Sequence, residues 1–240
     1  MNKVFLELVP QNILLLIYVT KKIFVFLDKH FEKFLAKNVS KQKLYFCLLN
    51  KRIRSCKDCK DEEKIFIRGG VFCYSLNKEK FCYYCVNNFF VFNSILRILT
   101  SIILCLNKGF LLHSAGVLEN GRCILYSGKS GSGKSTLAKK FADKKILSDE
   151  LCPVILINKN LYSWPSMFYS EVKPNFVRYK LIRIKDIKFL SDIDKGKIVD
   201  VQKKEDFVDL LLKNIFWLSR NAFLTQRQVD IVKNIADLIF

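Results

Sequence analysis

Gly128-Lys129-Ser130-Gly131-Ser132-Gly133-Lys134-Ser135, followed by Thr136, fits the pattern G-x-x-x-x-G-K-[ST] of a phosphate-binding loop. Cys123-Ile124-Leu125-Tyr126, just before it, is a short apolar run that reads as a buried strand. Thr136 to Ala142, just after it, reads as the first turns of a helix with Leu137 and Phe141 on one face. Strand, glycine-rich turn and helix in that order point consecutive backbone N–H groups at one spot, which suits a polyphosphate. Glycines at 128, 131 and 133 let the backbone pass close to the phosphates. Lys134 is placed to reach the β and γ oxygens, and the Ser135 hydroxyl to ligate Mg²⁺. Ser130, Ser132 and Thr136 complete the nucleotide-binding set.

Reading outward, Gly109 to Val117 is an apolar run that contains His113, and Glu119-Asn120-Gly121 turns it back toward the strand before the loop. Asn-Gly between two apolar runs is a hairpin signal. The pairing brings His113 alongside the phosphate loop, where a structural and a functional role are both open. Beyond the loop helix, Lys145 to Ser148 is a short strand ending in Asp149 and Glu150. Acids at a strand end hold Mg²⁺ or a nucleophile. They follow Ser135 by 14 residues (135 to 149), so this strand comes directly after the loop helix.

Leu112-His113-Ser114-Ala115, the Asn-Gly turn, Gly128 to Thr136 and Leu147-Ser148-Asp149-Glu150 together resemble the catalytic domain of HPr kinase/phosphorylase and its small relatives. The same order of histidine strand, phosphate loop and early acid pair is similar to that of ATP-dependent phosphoenolpyruvate carboxykinases. The resemblance covers residues 94–165. It implies an α/β (α+β) fold with a carboxykinase-like nucleotide-binding core and a mixed sheet. It implies Asp149 as the acid that activates an acceptor hydroxyl, Glu150 as a metal acid with Ser135 and Asp149, and His113 near metal and phosphates. Glu150 stands where the family more often has Asp. The downstream signature by which HPr kinases hold their protein substrate is missing, so the match is better with the small HPr-kinase-related proteins. The activity so implied is an ATP- and Mg²⁺-dependent kinase acting on a serine hydroxyl of a protein or peptide, in the cytosol, with a homo-oligomer as one expectation from relatives. The alternatives are a nucleotide- or zinc-binding regulatory module without catalysis, or an ABC-type ATPase. The last lacks a Leu-Ser-Gly-Gly-Gln-like signature, and its acids would come too early.

Bulk properties fit this frame. The 240 residues allow one core plus a smaller N-terminal unit, taken as a β-rich region over 1–93 and a catalytic domain over 94–240. Lys and Arg number 41 against 22 Asp and Glu, a formal charge of +19. That excess is mostly lysine spread along the chain, without a compact basic run, so no nucleic-acid partner is expected. Residues 94–107 read as an amphipathic helix packed on the core, and no segment reads as a membrane span.

In the N-terminal part, residues 1–40 read as strand or helix. Gln42 to Asn50, Lys64 to Arg68 and Val71 to Ser75 read as strands, with Phe81 to Phe92 continuing the pattern. Cys56 and Cys59, then Cys82 and Cys85, form two C-x-x-C pairs that invite a zinc reading. Residues three apart on a strand face opposite ways, so Cys82 and Cys85 on one strand favour free thiols. Residues 165–200 are expected as loops and strands over the mouth of the site, with Lys173, Arg178 and Lys180 read first as solvated charges and second as phosphate contacts. Glu205 to Ser219 and Thr225 to Phe240 read as two terminal helices.

Overall fold

The computed structural model describes residues 2–9, 13–19, 43–50, 64–67, 70–75, 80–84, 89–141, 143, 145–175, 180–218 and 221–240. The chain divides into two compact units, Met1–Leu99 and Thr100–Phe240. The division falls inside a helix, α1 (Phe89–Leu106).

The first unit is built on a six-stranded sheet of β1 (Asn2–Val9), β2 (Ile13–Val19), β3 (Lys43–Asn50), β4 (Lys64–Ile67), β5 (Gly70–Ser75) and β6 (Lys80–Tyr84). Its order is β1-β2-β3-β6-β5-β4, with β2/β3 and β3/β6 parallel and the other pairs antiparallel. The hairpin expected at Gly69-Gly70 is present, Ile67 pairing with Gly70. The strand pattern expected through Phe92 stops at Tyr84, and Phe89 to Phe92 already belong to α1. Cys82 lies on β6, while Cys56, Cys59 and Cys85 are outside the described residues.

The second unit contains β7 (Gly109–Glu119), β8 (Arg122–Ser127), α2 (Lys134–Lys140), β9 (Lys145–Ser148), β10 (Leu151–Ile157), β11 (Asn160–Ser163), β12 (Ile182–Leu190), β13 (Ile198–Val199), α3 (Lys204–Asn214) and α4 (Ala222–Ile239). Asn120 and Gly121 both take positive φ, as the two-residue turn between β7 and β8 requires. β7 is the strand that organises the rest. Along one edge it pairs with β8, Ser114 opposite Ser127. Along the other it pairs with β9 over its second half and β10 over its first. β9 and β10 are thus one long antiparallel run, interrupted only at Asp149 and Glu150.

The path continues from β10 through β11 and β12 back to β8, and β12/β8 is parallel. Strands β7, β8, β12, β11 and β10 therefore close on themselves, with β9 and β13 outside the ring. The α+β class with a mixed sheet stands. The closed five-strand ring is not a carboxykinase-like core, and that part of the expectation is corrected. Closure comes from two long strands, β7 and β12, that each pair with different neighbours at their two ends.

Apolar side chains from the ring strands are buried, among them Phe110, Leu112, Cys123, Leu125, Cys152 and Val154. Ala115, Val117, Tyr126, Ala138 and Ile146 form a cluster against which Leu137 and Phe141 pack, so the two loop-helix residues do share a buried face. α3 and α4 pack on each other and against β7. The helix expected over Glu205 to Ser219 ends at Asn214; Phe207 and Leu211 on it and Ile215 and Leu218 beyond it are buried, Leu210 is half-buried, and Ile239 on α4 is 48% exposed. Arg227 on α4 donates to the carbonyls of Cys105 (2.9 Å) and Leu106 (3.1 Å), capping the end of α1. Within residues 165–200, expected as loops and strands over the mouth of the site, β12 sits in the ring.

Candidate functional site

The ladder of β7 places the parts of the site. At residue 113 the strand changes partners, and there its backbone holds both flanks. The His113 carbonyl accepts from the Gly128 N–H at 3.2 Å and the Ser127 hydroxyl at 3.0 Å. The Ser114 N–H donates to the Glu150 carbonyl at 3.1 Å. The start of the phosphate loop and the acid pair are thereby fixed on opposite edges of the same two residues.

One cleft of about 580 Å³ results, lined by His113, Ser130, Gly131, Gly133, Lys134, Ser135, Thr136, Asp149 and Glu150 among others. Of the predicted catalytic, nucleotide-binding and metal residues, all but Gly128 and Ser132 are on its wall. Gly128 and Ser132 are buried in the loop itself. Gly131 and Gly133 have φ of 85° and 97°, a region that side-chain-bearing residues rarely occupy. Lys134 is buried and donates to the carbonyls of Gly128 and Lys129, both at 2.6 Å, so the amine is held inside the curl of the loop. Burial lowers its pKa, an effect partly offset by Glu150, Asp149 and Asp192.

Asp149 is almost fully buried. Its Oδ1 accepts from the Ser170 N–H at 2.8 Å, and its Oδ2 from the Ser170 hydroxyl and the Glu171 N–H, both at 3.0 Å. The Ser135 side chain also hydrogen-bonds to it. Burial pushes the carboxyl up, but these hydrogen bonds outweigh it, and its pKa falls below the ordinary Asp value. A hydroxyl that donates to Asp149 keeps its lone pairs for a cation, which is how a phosphate-loop serine serves Mg²⁺. The residues present fit Mg²⁺ with a nucleotide. Mg²⁺ takes one or two protein oxygens and completes its shell with phosphate and water. Among the described residues there is no group of three or more His, Cys, Asp or Glu that could hold a metal ion.

Ser148 shapes the break between β9 and β10. Its buried hydroxyl donates to the Phe168 carbonyl at 2.7 Å and accepts from the N–H groups of Glu150 (3.0 Å) and Leu151 (3.3 Å). Ser170, Glu171, Lys140, Lys195 and Gly196 also line the cleft, and none was singled out from the sequence. Lys139 and Glu171 form an exposed ion pair at its edge. Lys173 and Lys180 are exposed and absent from the cleft wall, and Arg178 is outside the described residues. No helix among the described residues is long and apolar enough to cross a membrane.

No protein-family model matches the chain, and no curated protein matches it significantly in sequence.

Proposed function

We propose that the chain is an ATP- and Mg²⁺-dependent kinase that transfers the γ-phosphate to a hydroxyl, that of a serine in a protein or peptide. The observation that carries this reading is the convergence of Lys134, Ser135, His113, Asp149 and Glu150 on one cleft beside the positive-φ glycines of the loop. The loop amides and Lys134 hold the β- and γ-phosphates, the amine leaving the carbonyls of Gly128 and Lys129 for phosphate oxygens. Ser135, aimed by Asp149, and Glu150 hold Mg²⁺, which when bound neutralises charge on the transferring group. His113 sits between loop and acids, within reach of the same phosphate. Transfer forms the serine O–P bond, breaks the bond from the γ-phosphorus to ADP, and passes the hydroxyl proton to a carboxylate.

The resemblance to HPr-kinase-related proteins assigns that proton to Asp149. The carboxylate already accepts from Ser135, Ser170 and Glu171, so taking a proton means surrendering a donor. In the alternative assignment Asp149 only aims Ser135, and Glu150 receives the proton in place of holding Mg²⁺. Two substitutions separate them. Asp149→Asn that binds MgATP yet loses transfer, beside an active Glu150→Gln, supports Asp149 as base; the reverse supports Glu150.

The kinase reading itself is tested with [γ-³²P]ATP and a library of serine-containing peptides. Lys134→Ala should lower transfer by about 10²–10³-fold or more, the effect of removing a preorganised contact to developing charge. Nucleotide binding without transfer to any acceptor would leave the non-catalytic regulatory module in its place.

A further inference from the structure

The strand order gives the cleft a direction. Across the sheet run β12, β8, β7 and then β9 with β10. β8 delivers the phosphate loop, β7 delivers His113, and the β9–β10 break delivers the acids. The reacting end of a nucleotide therefore lies on the β7 side of the loop, and its other end must leave toward β12. β12 is the parallel neighbour of β8, so both strands release their C-terminal turns at the same rim, where ligands of α/β sheets gather.

The turn after β12 is built onto the phosphate loop. The Gly196 N–H donates to the Ser132 carbonyl at 3.0 Å, and Lys129 pairs with Asp192 at 2.7 Å. Gly196 has φ of 83°, and a Cβ on Gly133 would stand 3.1 Å from its nitrogen, so the two backbones touch. Inside the turn, Ser191 Oγ accepts from the N–H groups of Ile193 (3.2 Å) and Asp194 (3.0 Å), and the Ser191 N–H donates to the Lys197 carbonyl at 2.8 Å. The turn is thus a braced shelf rather than a loose connection. Lys195 and Gly196 line the cleft, and Ile193, two residues before Lys195 and outside the cleft wall, is 90% exposed.

We infer that residues 191–197 form the nucleoside end of the site. Ile193 gives the apolar surface for the base, and Lys195 the cation for the ribose–α-phosphate side. This rests on the reading of the cleft as a nucleotide site, and is independent of whether phosphate is transferred. An apolar side chain left in water on the same turn as a cleft-lining lysine gains by covering a flat base, while the triphosphate alone does not extend to it.

The experiment compares binding of MgATP and of magnesium tripolyphosphate by calorimetry, in the full chain and in Ile193→Ser/Lys195→Gln. The double substitution should weaken MgATP by about tenfold and leave tripolyphosphate within about twofold, with an unchanged melting temperature. Asp192→Asn, which releases the shelf from Lys129, should weaken MgATP in the same selective way. Equal losses for both ligands, or no loss of MgATP, would overturn the assignment. If the unsubstituted chain binds tripolyphosphate and MgATP with equal affinity, the nucleoside end fails while the phosphate site stands. If it binds neither, both fall. MgATP binding that is selectively weakened, without transfer to any hydroxyl, removes the kinase reading and keeps this one.

Discussion

With Ser135, Ser170 and Glu171 all donating to it, the Asp149 carboxylate is held in its charged form. Its folded pKa lies below the unfolded one, so the folded state binds fewer protons in the acid range. The resulting stability is complete above the ordinary Asp pKa of about 3.9 and is lost as pH falls toward the folded value. Urea unfolding of the parent and Asp149→Asn between pH 7 and pH 3 should therefore show a gap that narrows with acidification. A gap independent of pH would mean that the hydrogen bonds do not favour the charged form. At pH 7 the variant should be less stable by about 1–3 kcal/mol, because an amide NH₂ would meet donors where a carboxylate oxygen stood. Lys134→Ala is a different case. The amine serves the loop's own carbonyls, so its loss should abolish MgATP binding more completely than it lowers the melting temperature.

At the scale of elements, the strand switch at β7 depends on close approach. Gly109 pairs with Ile155, and a Cβ there would stand 2.4 Å from the Val154 carbonyl oxygen. Gly109→Ala must push β10 away from β7, and should cost about 1–3 kcal/mol in denaturant unfolding. Because β10 begins just after the acid pair, the same variant should weaken MgATP binding; intact stability would show that the ring yields there cheaply. Local signals made this region legible: the Asn-Gly turn, the apolar run before Gly128, and the acids 14 residues beyond Ser135 all carry their meaning within a few neighbours. What stayed hidden is non-local. Nothing around Ile182 says that β12 will run parallel to β8, because that pairing closes a loop of some sixty residues by hydrogen bonds that any apolar strand offers. Ser170 and Glu171 reach Asp149 largely through backbone N–H groups, which no side-chain pattern records. Ile239 fits the helical period and is still half exposed, while Phe240 beside it packs its ring against Phe207 of α3.

For the whole molecule, the excess of 19 positive charges and the proposed phosphate cleft would be two separate routes to anions, different in range. Lysines dispersed along the chain attract polyanions through a field that decays over about 10 Å at 0.1 M salt. Such association releases counterions, so its affinity falls steeply with ionic strength. The proposed site would work by contact. Lys134 is buried, the loop amides are fixed by positive-φ glycines, and the shelf at 191–197 is bonded to the loop. Raising salt from 50 to 500 mM should strip the chain from heparin or duplex DNA, while MgATP binding weakens far less. Lys134→Ala should remove the second and leave the first unchanged. If MgATP and DNA were instead lost in parallel with salt, and Lys134→Ala affected both alike, the cleft would be one more patch of diffuse positive surface. Persistence of DNA binding at 500 mM would point the other way, to contacts that the charge distribution along the sequence does not foretell.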